Sequence, residues 1–273
     1  MVRILLLCIF WLLATAAQAE EGDQKPKDKQ ALMTSIYPLA LLVNTAWPND
    51  VEAIHLVPAN QSPHDFSLKP SHRRALEQTP FVLWLGPGLE PYLKRILSKK
   101  QNHLALLPKS DHHDDPHIWL APNKIQWILA QVQQQLDLPT PSKFLLKLKK
   151  WESNAKQLLE KNKQNGFVVY HNAFTHWVKH FELNQLAAVT TDPDHPVGSR
   201  HLLNVRKTIE TNTPACLFTE PQFSPRIVNK LVSGLSIPLI EIDPIAGQYQ
   251  LPEQNFLDFY DGLTQAFVTC LSN

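Results

Sequence analysis

The stretch "PSKFLLKLKKWESNAKQLLEKNKQNG" (residues 141–166) decides how the rest of the chain is read. It opens on Pro141-Ser142, carries no further proline and stops at Asn165-Gly166, which are start and stop signals of a single helix. Phe144, Leu145, Leu148, Trp151, Ala155, Leu158 and Leu159 recur at helical spacing, and lysines fill the remaining face. One long amphipathic helix is therefore expected over residues 141–165. An ordinary surface helix would show the same pattern. Its position between two stretches of different texture favours a rigid connector.

Those flanking stretches alternate short apolar, β-branched runs with longer segments of helical character. Before the helix, "ALMTSIY" (31–37), "VEAIHLV" (51–57) and "FVLWLG" (81–86) read as strands. Between them "KPSHRRALEQT" (69–79) reads as a helix, with Pro70 in a first-turn position. After the connector, "GFVVYH" (166–171), "LAAVTT" (186–191), "ACLFTE" (215–220) and "IPLIEID" (237–243) repeat the rhythm. Such alternation implies parallel sheets covered by helices. The expected class is α/β, with two α/β domains over residues 31–140 and 166–273. Each would hold a mostly parallel sheet, and the helix 141–165 would join them as a stiff hinge.

Composition narrows the function. The chain has 273 residues, 26 basic against 25 acidic, and no basic face, so nucleic acid is not an expected partner. Glycine is scarce (8 residues against 22 prolines) and no Gly-x-Gly-x-x-Gly or P-loop pattern exists, which argues against a phosphate cradle. The N-terminus has Arg3, an apolar run from Ile4 to Ala17 and an Ala17-Gln18-Ala19 ending, the form of a cleaved export signal over residues 1–19. Residues 20–30 are polar and expected to be a flexible tail. No later stretch is long and apolar enough to cross a bilayer, so an exported, soluble product is expected. Beyond Cys8 in that leader, two cysteines remain, Cys216 and Cys270. In an oxidising compartment the pair reads as one disulfide, although two inert buried thiols fit the same count.

Open α/β sheets bind ligands outside the carboxyl ends of their strands. His171 ends "FVVYH", and Asp243 ends "IPLIEID" just before Pro244. His64, in "NQSPHDFSLKPS", lies in the loop after the second strand, and His117, in "DDPHIWLAP", precedes a helix starting near Asn123. Two residues from each half would thus converge in the cleft between the domains, and four nitrogen and oxygen ligands in a tetrahedral shell suit zinc. Spacing alone leaves each histidine equally readable as a hydrogen-bonded loop residue. His112 and His113 read as exposed loop residues. His176 and His180, at i and i+4 in "AFTHWVKHF", sit in what is otherwise an amphipathic packing helix. His55, His72, His103, His195 and His201 have no metal-site context.

Five segments, "SPHDFSLKPS", "DPHIWLAP", "FVVYHNAFTHW", "CLFTEPQFSPRIV" and "IEIDPIAG", occur in an order and at intervals that resemble the zinc-type substrate-binding proteins of metal ABC transporters. This is the zinc-uptake or adhesin-like cluster of periplasmic proteins, and the resemblance covers nearly the whole chain after the leader. It implies two α/β domains joined by one long helix, with the metal in the interdomain cleft. It implies His64, His117 and His171 as ligands and places the family's aspartate on Asp243. It also supports a disulfide between Cys216 and Cys270. Manganese-type relatives usually carry glutamate at the third position, so His171 favours zinc. The histidine-rich acidic loop of many members is reduced here to "SDHHDD" (110–115), and the residue before the first histidine is Pro63, which leaves Asp243 or water for the fourth position.

The resemblance implies a periplasmic, monomeric, non-enzymatic carrier that binds Zn²⁺ as its transported ligand and delivers it to an inner-membrane ABC transporter permease. Because imidazoles bind metal only when neutral, affinity is expected to fall as pH drops through about 6. The rivals are a manganese or iron carrier of the same fold, an adhesin-type module with structural zinc, and a secreted zinc hydrolase. The hydrolase would need a free carboxylate base beside a zinc-bound water, and no His-Glu-x-x-His helix is present.

Overall fold

The computed structural model of the protein describes residues 28–109, 115–193 and 195–273. The expected leader (1–19), most of the expected tail, and Asp111, His112, His113 and Asp114 lie outside the described residues. The tail is shorter than expected at its far end, because Gln30 already pairs with Val51 in the first sheet. No helix among the described residues is long and apolar enough to cross a membrane.

The first half runs β1 (Gln30–Thr34), α1 (Tyr37–Ala46), β2 (Val51–His55), α2 (Pro70–Gln78), β3 (Val82–Trp84), α3 (Pro91–Leu97), β4 (His103–Ala105), a 3-10 turn (Ile118–Leu120) and α4 (Pro122–Leu136). The connector is α5 (Ser142–Glu160). The second half runs β5 (Phe167–His171), α6 (Thr175–Phe181), β6 (Gln185–Thr190), α7 (Ser199–Asn212), β7 (Cys216–Thr219), α8 (Arg226–Leu231), β8 (Leu239–Glu241) and α9 (Phe256–Leu271). Four helices, α1 to α4, carry proline in their first turn, where its missing N–H costs no helical hydrogen bond.

Each half contains a four-stranded sheet whose paired strands all run parallel, in the orders β2-β1-β3-β4 and β6-β5-β7-β8. The two orders are the same pattern, so the halves are topological repeats of each other. Both faces of each sheet are covered, as parallel strands require. Alternate residues of β5 show it: Phe167 and Val169 enter the large central core, while Val168 and Tyr170 enter a satellite core under α7 and α8. The first half repeats this, with Leu32 in the central core and Met33 in a satellite core with Leu76 and Leu93. The central core is continuous through both halves, from Val43 and Trp119 to Trp177 and Phe267.

The connector forms over Ser142–Glu160 rather than 141–165. Phe144, Leu148, Trp151, Ala155 and Leu159 are buried, Leu145 packs at the edge of the core, and Leu158 is exposed. Trp151 anchors the helix on the second half, its ring 4.6 Å from Tyr260 and 5.8 Å from Trp177. Residues 161–165 form turns because the chain must bend into β5. There Asn165 donates to the Leu271 carbonyl, and Lys163 pairs with both Glu160 and Glu182. The strand β4 was not foreseen: "HLA" is too short to show any period. Cys216 of β7 and Cys270 of α9 are joined by a disulfide, which resolves the open reading of the two cysteines.

Candidate metal centre

In a 2-1-3-4 parallel sheet the strand order reverses between the first and third strands, and ligand crevices open there at the carboxyl ends. In the second half that point lies between β5 and β7. His171 is the last residue of β5, and Glu220 follows the last residue of β7 directly. Both are buried, at 3 % and 5 % exposure. From the first half come His64, on the loop after β2, and His117, just before the 3-10 turn.

The three histidines meet. Their ring centroids are 5.2 Å (His64–His117), 4.9 Å (His64–His171) and 4.8 Å (His117–His171) apart. One nitrogen from each lies within 4.8 Å of the others, and the Nε2 atoms of His64 and His117 are 3.1 Å apart. Tetrahedral Zn–N bonds near 2.0–2.1 Å would place nitrogens about 3.3 Å apart, so this spacing suits a shared cation. His171 Nε2 is buried and hydrogen-bonds to no protein atom. The small cavity these rings line with Trp119, Glu220 and Phe223 measures about 10 Å³, and His64 and His117 also border an open cleft of about 780 Å³ shared with Asp115 and His176.

Carboxylates fix the rings from behind. Asp115 Oδ1 accepts from His117 Nδ1 at 2.6 Å and from the His117 backbone N–H at 3.0 Å, a turn that Pro116 between them stiffens. Glu220 Oε2 lies 3.7 Å from His171 Nδ1, longer than a hydrogen bond. A carboxylate on Nδ1, as Asp115 is on His117, leaves Nε2 free for a metal and raises its basicity. His176 of α6 donates from Nε2 to the Asp115 carbonyl at 2.8 Å, so the second half braces the loop of the first.

Burial sets the charge states. It pushes His64 down to about 2, helped by the neighbouring His117 and His171, and His171 down to about 4. His117 is also lowered by burial, against the pull of Asp115. All three are therefore neutral near pH 7, the form that binds metal. Burial raises Asp115, but the hydrogen bond and charge of His117 outweigh it and hold the carboxyl below its usual range. Glu220, with burial dominant, is raised to about 8.

Asp243 stands outside the histidine set. Its Oδ1 accepts from Gln222 Nε2 at 2.8 Å and the Ile245 N–H at 3.0 Å, and its Oδ2 accepts from the Gly247 N–H at 2.5 Å. Both oxygens accept from donors of its own half, and the cluster within 4.8 Å holds three of the four expected ligands, His64, His117 and His171. His176 and His180 do not act as a pair, because His180 Nε2 sits 2.9 Å from Glu152 on the connector. His72 caps α2, His103 accepts from Trp84 Nε1, and His195 pairs with Asp192. The reading of the sequence missed Glu220 and the orienting role of Asp115. Glu220 sits at a strand's carboxyl end, the signal that marked His171, and Asp115 is two residues before His117, the spacing of a side-chain-closed turn.

Comparison with known proteins gives one consistent picture. The family model described as "Zinc-uptake complex component A periplasmic" matches residues 32–270. The high-affinity zinc uptake system protein ZnuA of Haemophilus ducreyi is 26% identical over 288 residues, covering 88% of this chain and 93% of that protein. The protein of the same name from Yersinia pestis is 26% identical over 289 residues, covering 88% and 91%. Among solved structures, a crystal structure of ZnuA aligns with a TM-score of 0.72 at 22% identity, covering 90% of this chain and 99% of that one. The metal-binding protein TroA aligns at 0.74 and 18% identity, covering 89% and 100%. At those identities the structural likeness speaks for the fold.

Proposed function

The chain belongs to the periplasmic zinc-uptake complex component A family, and from that premise we propose that it captures one Zn²⁺ between its two halves and hands it to an ABC permease. The observation that carries the reading is the buried triad of His64, His117 and His171, with one nitrogen of each within 4.8 Å of the others. Zinc is the cargo. Three neutral imidazoles would hold it, Asp115 and Glu220 would keep two of the rings aimed inward, and the fourth position would fall to water or a carboxylate. Borderline-soft nitrogen donors favour zinc over manganese, which prefers oxygen.

The acidic groups argue for carriage over catalysis. A hydrolase needs room for its substrate beside the metal-bound water and a free carboxylate to act as base. The acidic groups nearest the rings, Asp115 and Glu220, face His117 and His171 themselves. The division into domains at 31–140 and 166–273 belongs to the same reading, supported by a separate satellite core in each half. A periplasmic monomer freed of its leader completes it.

The test is metal content and competitive affinity of wild type against His171→Ala and His171→Glu. Wild type is expected to bind one zinc per chain, and His171→Ala to lose at least about a hundredfold in affinity, beyond what losing a supporting carboxylate costs. His171→Glu is expected to shift preference toward manganese. Unchanged zinc binding in His171→Ala would remove the site, and a wild type that prefers manganese would overturn the cargo assignment.

A further inference from the structure

The segment from Asp243 to Tyr249 belongs to the second half, yet it touches the first half at three places. The Pro244 carbonyl accepts from Trp119 Nε1 at 2.7 Å, and the ring of Trp119 lies 5.1 Å from that of His117. The Tyr249 carbonyl accepts from the Tyr37 hydroxyl at 2.8 Å. Gly247 lies so close to the loop bearing His64 that a Cβ there would stand 2.4 Å from the Ala59 carbonyl oxygen. Only glycine permits that approach.

The turn does not hold this shape unaided. Ala246 has φ of 59°, the left-handed region that a residue with a Cβ adopts at a cost. What holds it is Asp243, 8 % exposed, whose two oxygens receive the Ile245 and Gly247 N–H groups and the Gln222 amide. Successive N–H groups converging on one anion form a nest, here closed on a side chain of its own segment.

We propose that Asp243 is a positioning residue: its carboxylate folds residues 243–249 into a clamp that presses from the second half on the two loops presenting His64 and His117. The clamp sets the distance between the first half's two imidazoles and His171, and so the fit of the metal. This rests on the zinc-capture reading and deepens it. In this role the Asp243 oxygens serve the turn, and the Co²⁺ spectrum below separates that from direct ligation.

The experiment compares the exported chain with Asp243→Asn, Gly247→Ala and Trp119→Phe, with His171→Ala as control. Zinc affinity, zinc dissociation into excess chelator, and the visible absorption of Co²⁺ in place of zinc are read for each, after circular dichroism has confirmed folding. All three clamp variants are expected to keep one metal per chain and lose roughly 10–100-fold in affinity, the scale of an outer-shell defect, mainly through faster dissociation. Their Co²⁺ bands are expected to keep the wild-type position and intensity, because the ligands are intact. The double variant of Asp243→Asn with Gly247→Ala is expected to lose no more than the worse single, since both break one turn. If Asp243→Asn does not fold, Gly247→Ala and Trp119→Phe carry the same comparison. A changed Co²⁺ band in Asp243→Asn alone would make Asp243 a ligand and overturn the proposal. Wild-type affinity in Gly247→Ala and Trp119→Phe would show that the clamp positions nothing. Equal zinc binding by wild type and His171→Ala would instead remove the zinc site itself, an outcome distinct from either.

Discussion

His171 and His117 face each other across the cleft, but the two halves hold them by different means. His171 ends the central strand of a sheet, with Thr190 of β6 paired directly to it and β7 on its other side. Its backbone is placed by a hydrogen-bonded ladder before any side chain acts. His64 and His117 stand on irregular segments of the first half, although that half has the same strand order. They are aimed by local devices: Asp115 on His117, His176 on the Asp115 carbonyl, and the Asp243 turn against Ala59 and Trp119. The same fold thus supplies one histidine of the candidate site through the sheet and two through braced loops. Three experiments can break or sharpen this contrast.

The largest effect concerns the half that owns the ladder. The disulfide ties β7 to α9 across a separation of 54 residues, and no other is formed among the described residues. Replacing both Cys216 and Cys270 by serine is expected to cost about 2–4 kcal/mol of unfolding free energy in a denaturant titration. Zinc affinity is expected to stay at the wild-type value, because the β5 pairing that places His171 remains. A parallel loss of affinity would mean that the ladder alone does not fix that histidine.

Next come the two orienting carboxylates. Asp115→Asn is expected to weaken zinc by roughly 10–100-fold in competition with a chelating dye, because His117 depends on that turn for both backbone and ring. Glu220→Gln is expected to cost less, since the backbone of His171 is already held by β5 and the ring contact is longer, at 3.7 Å. Equal losses would erase the distinction between the halves.

The smallest effect is a pH response that stays flat. A free histidine titrates near 6.5, but burial holds metal-free His171 down to about 4 and His64 to about 2. The histidines take up protons only on approach to those values, and Glu220, raised to about 8, is already mostly protonated below that pH, so neither supplies a transition near 6. Zinc affinity is expected to hold nearly constant from about pH 7.5 to about 5.5 and to fall below about pH 5. This replaces the fall near pH 6 that unperturbed histidines imply. A midpoint near 6 would show that the loops of the first half let water reach His64.

The connector, the α/β alternation and seven of the eight strands were legible because they rest on periodicity and local chemistry: helical spacing from Phe144 to Leu159, β-branched runs ending at turns, and prolines opening helices. Within the connector, Leu158 was misjudged as core-facing, because spacing marks a stripe but not its edge. The three histidines were legible through their motifs and through the strand-end rule. The part played by the carboxylates was not. Asp243, Glu220 and Asp115 are all acids beside a metal motif, and sequence alone does not say which one faces a metal, which a histidine and which its own backbone.

Sequence alone determined the strand–helix alternation, the parallel class of the sheets and the histidines to watch, because these depend on neighbours along the chain. Only the tertiary structure decided that Asp243 turns its oxygens to Ile245 and Gly247, that Glu220 stands behind His171, and that imidazoles from both halves meet at one place. The reason is physical. A carboxylate's role is set by which donors reach its two oxygens, and here those donors are brought together by folding across two repeats of one sheet.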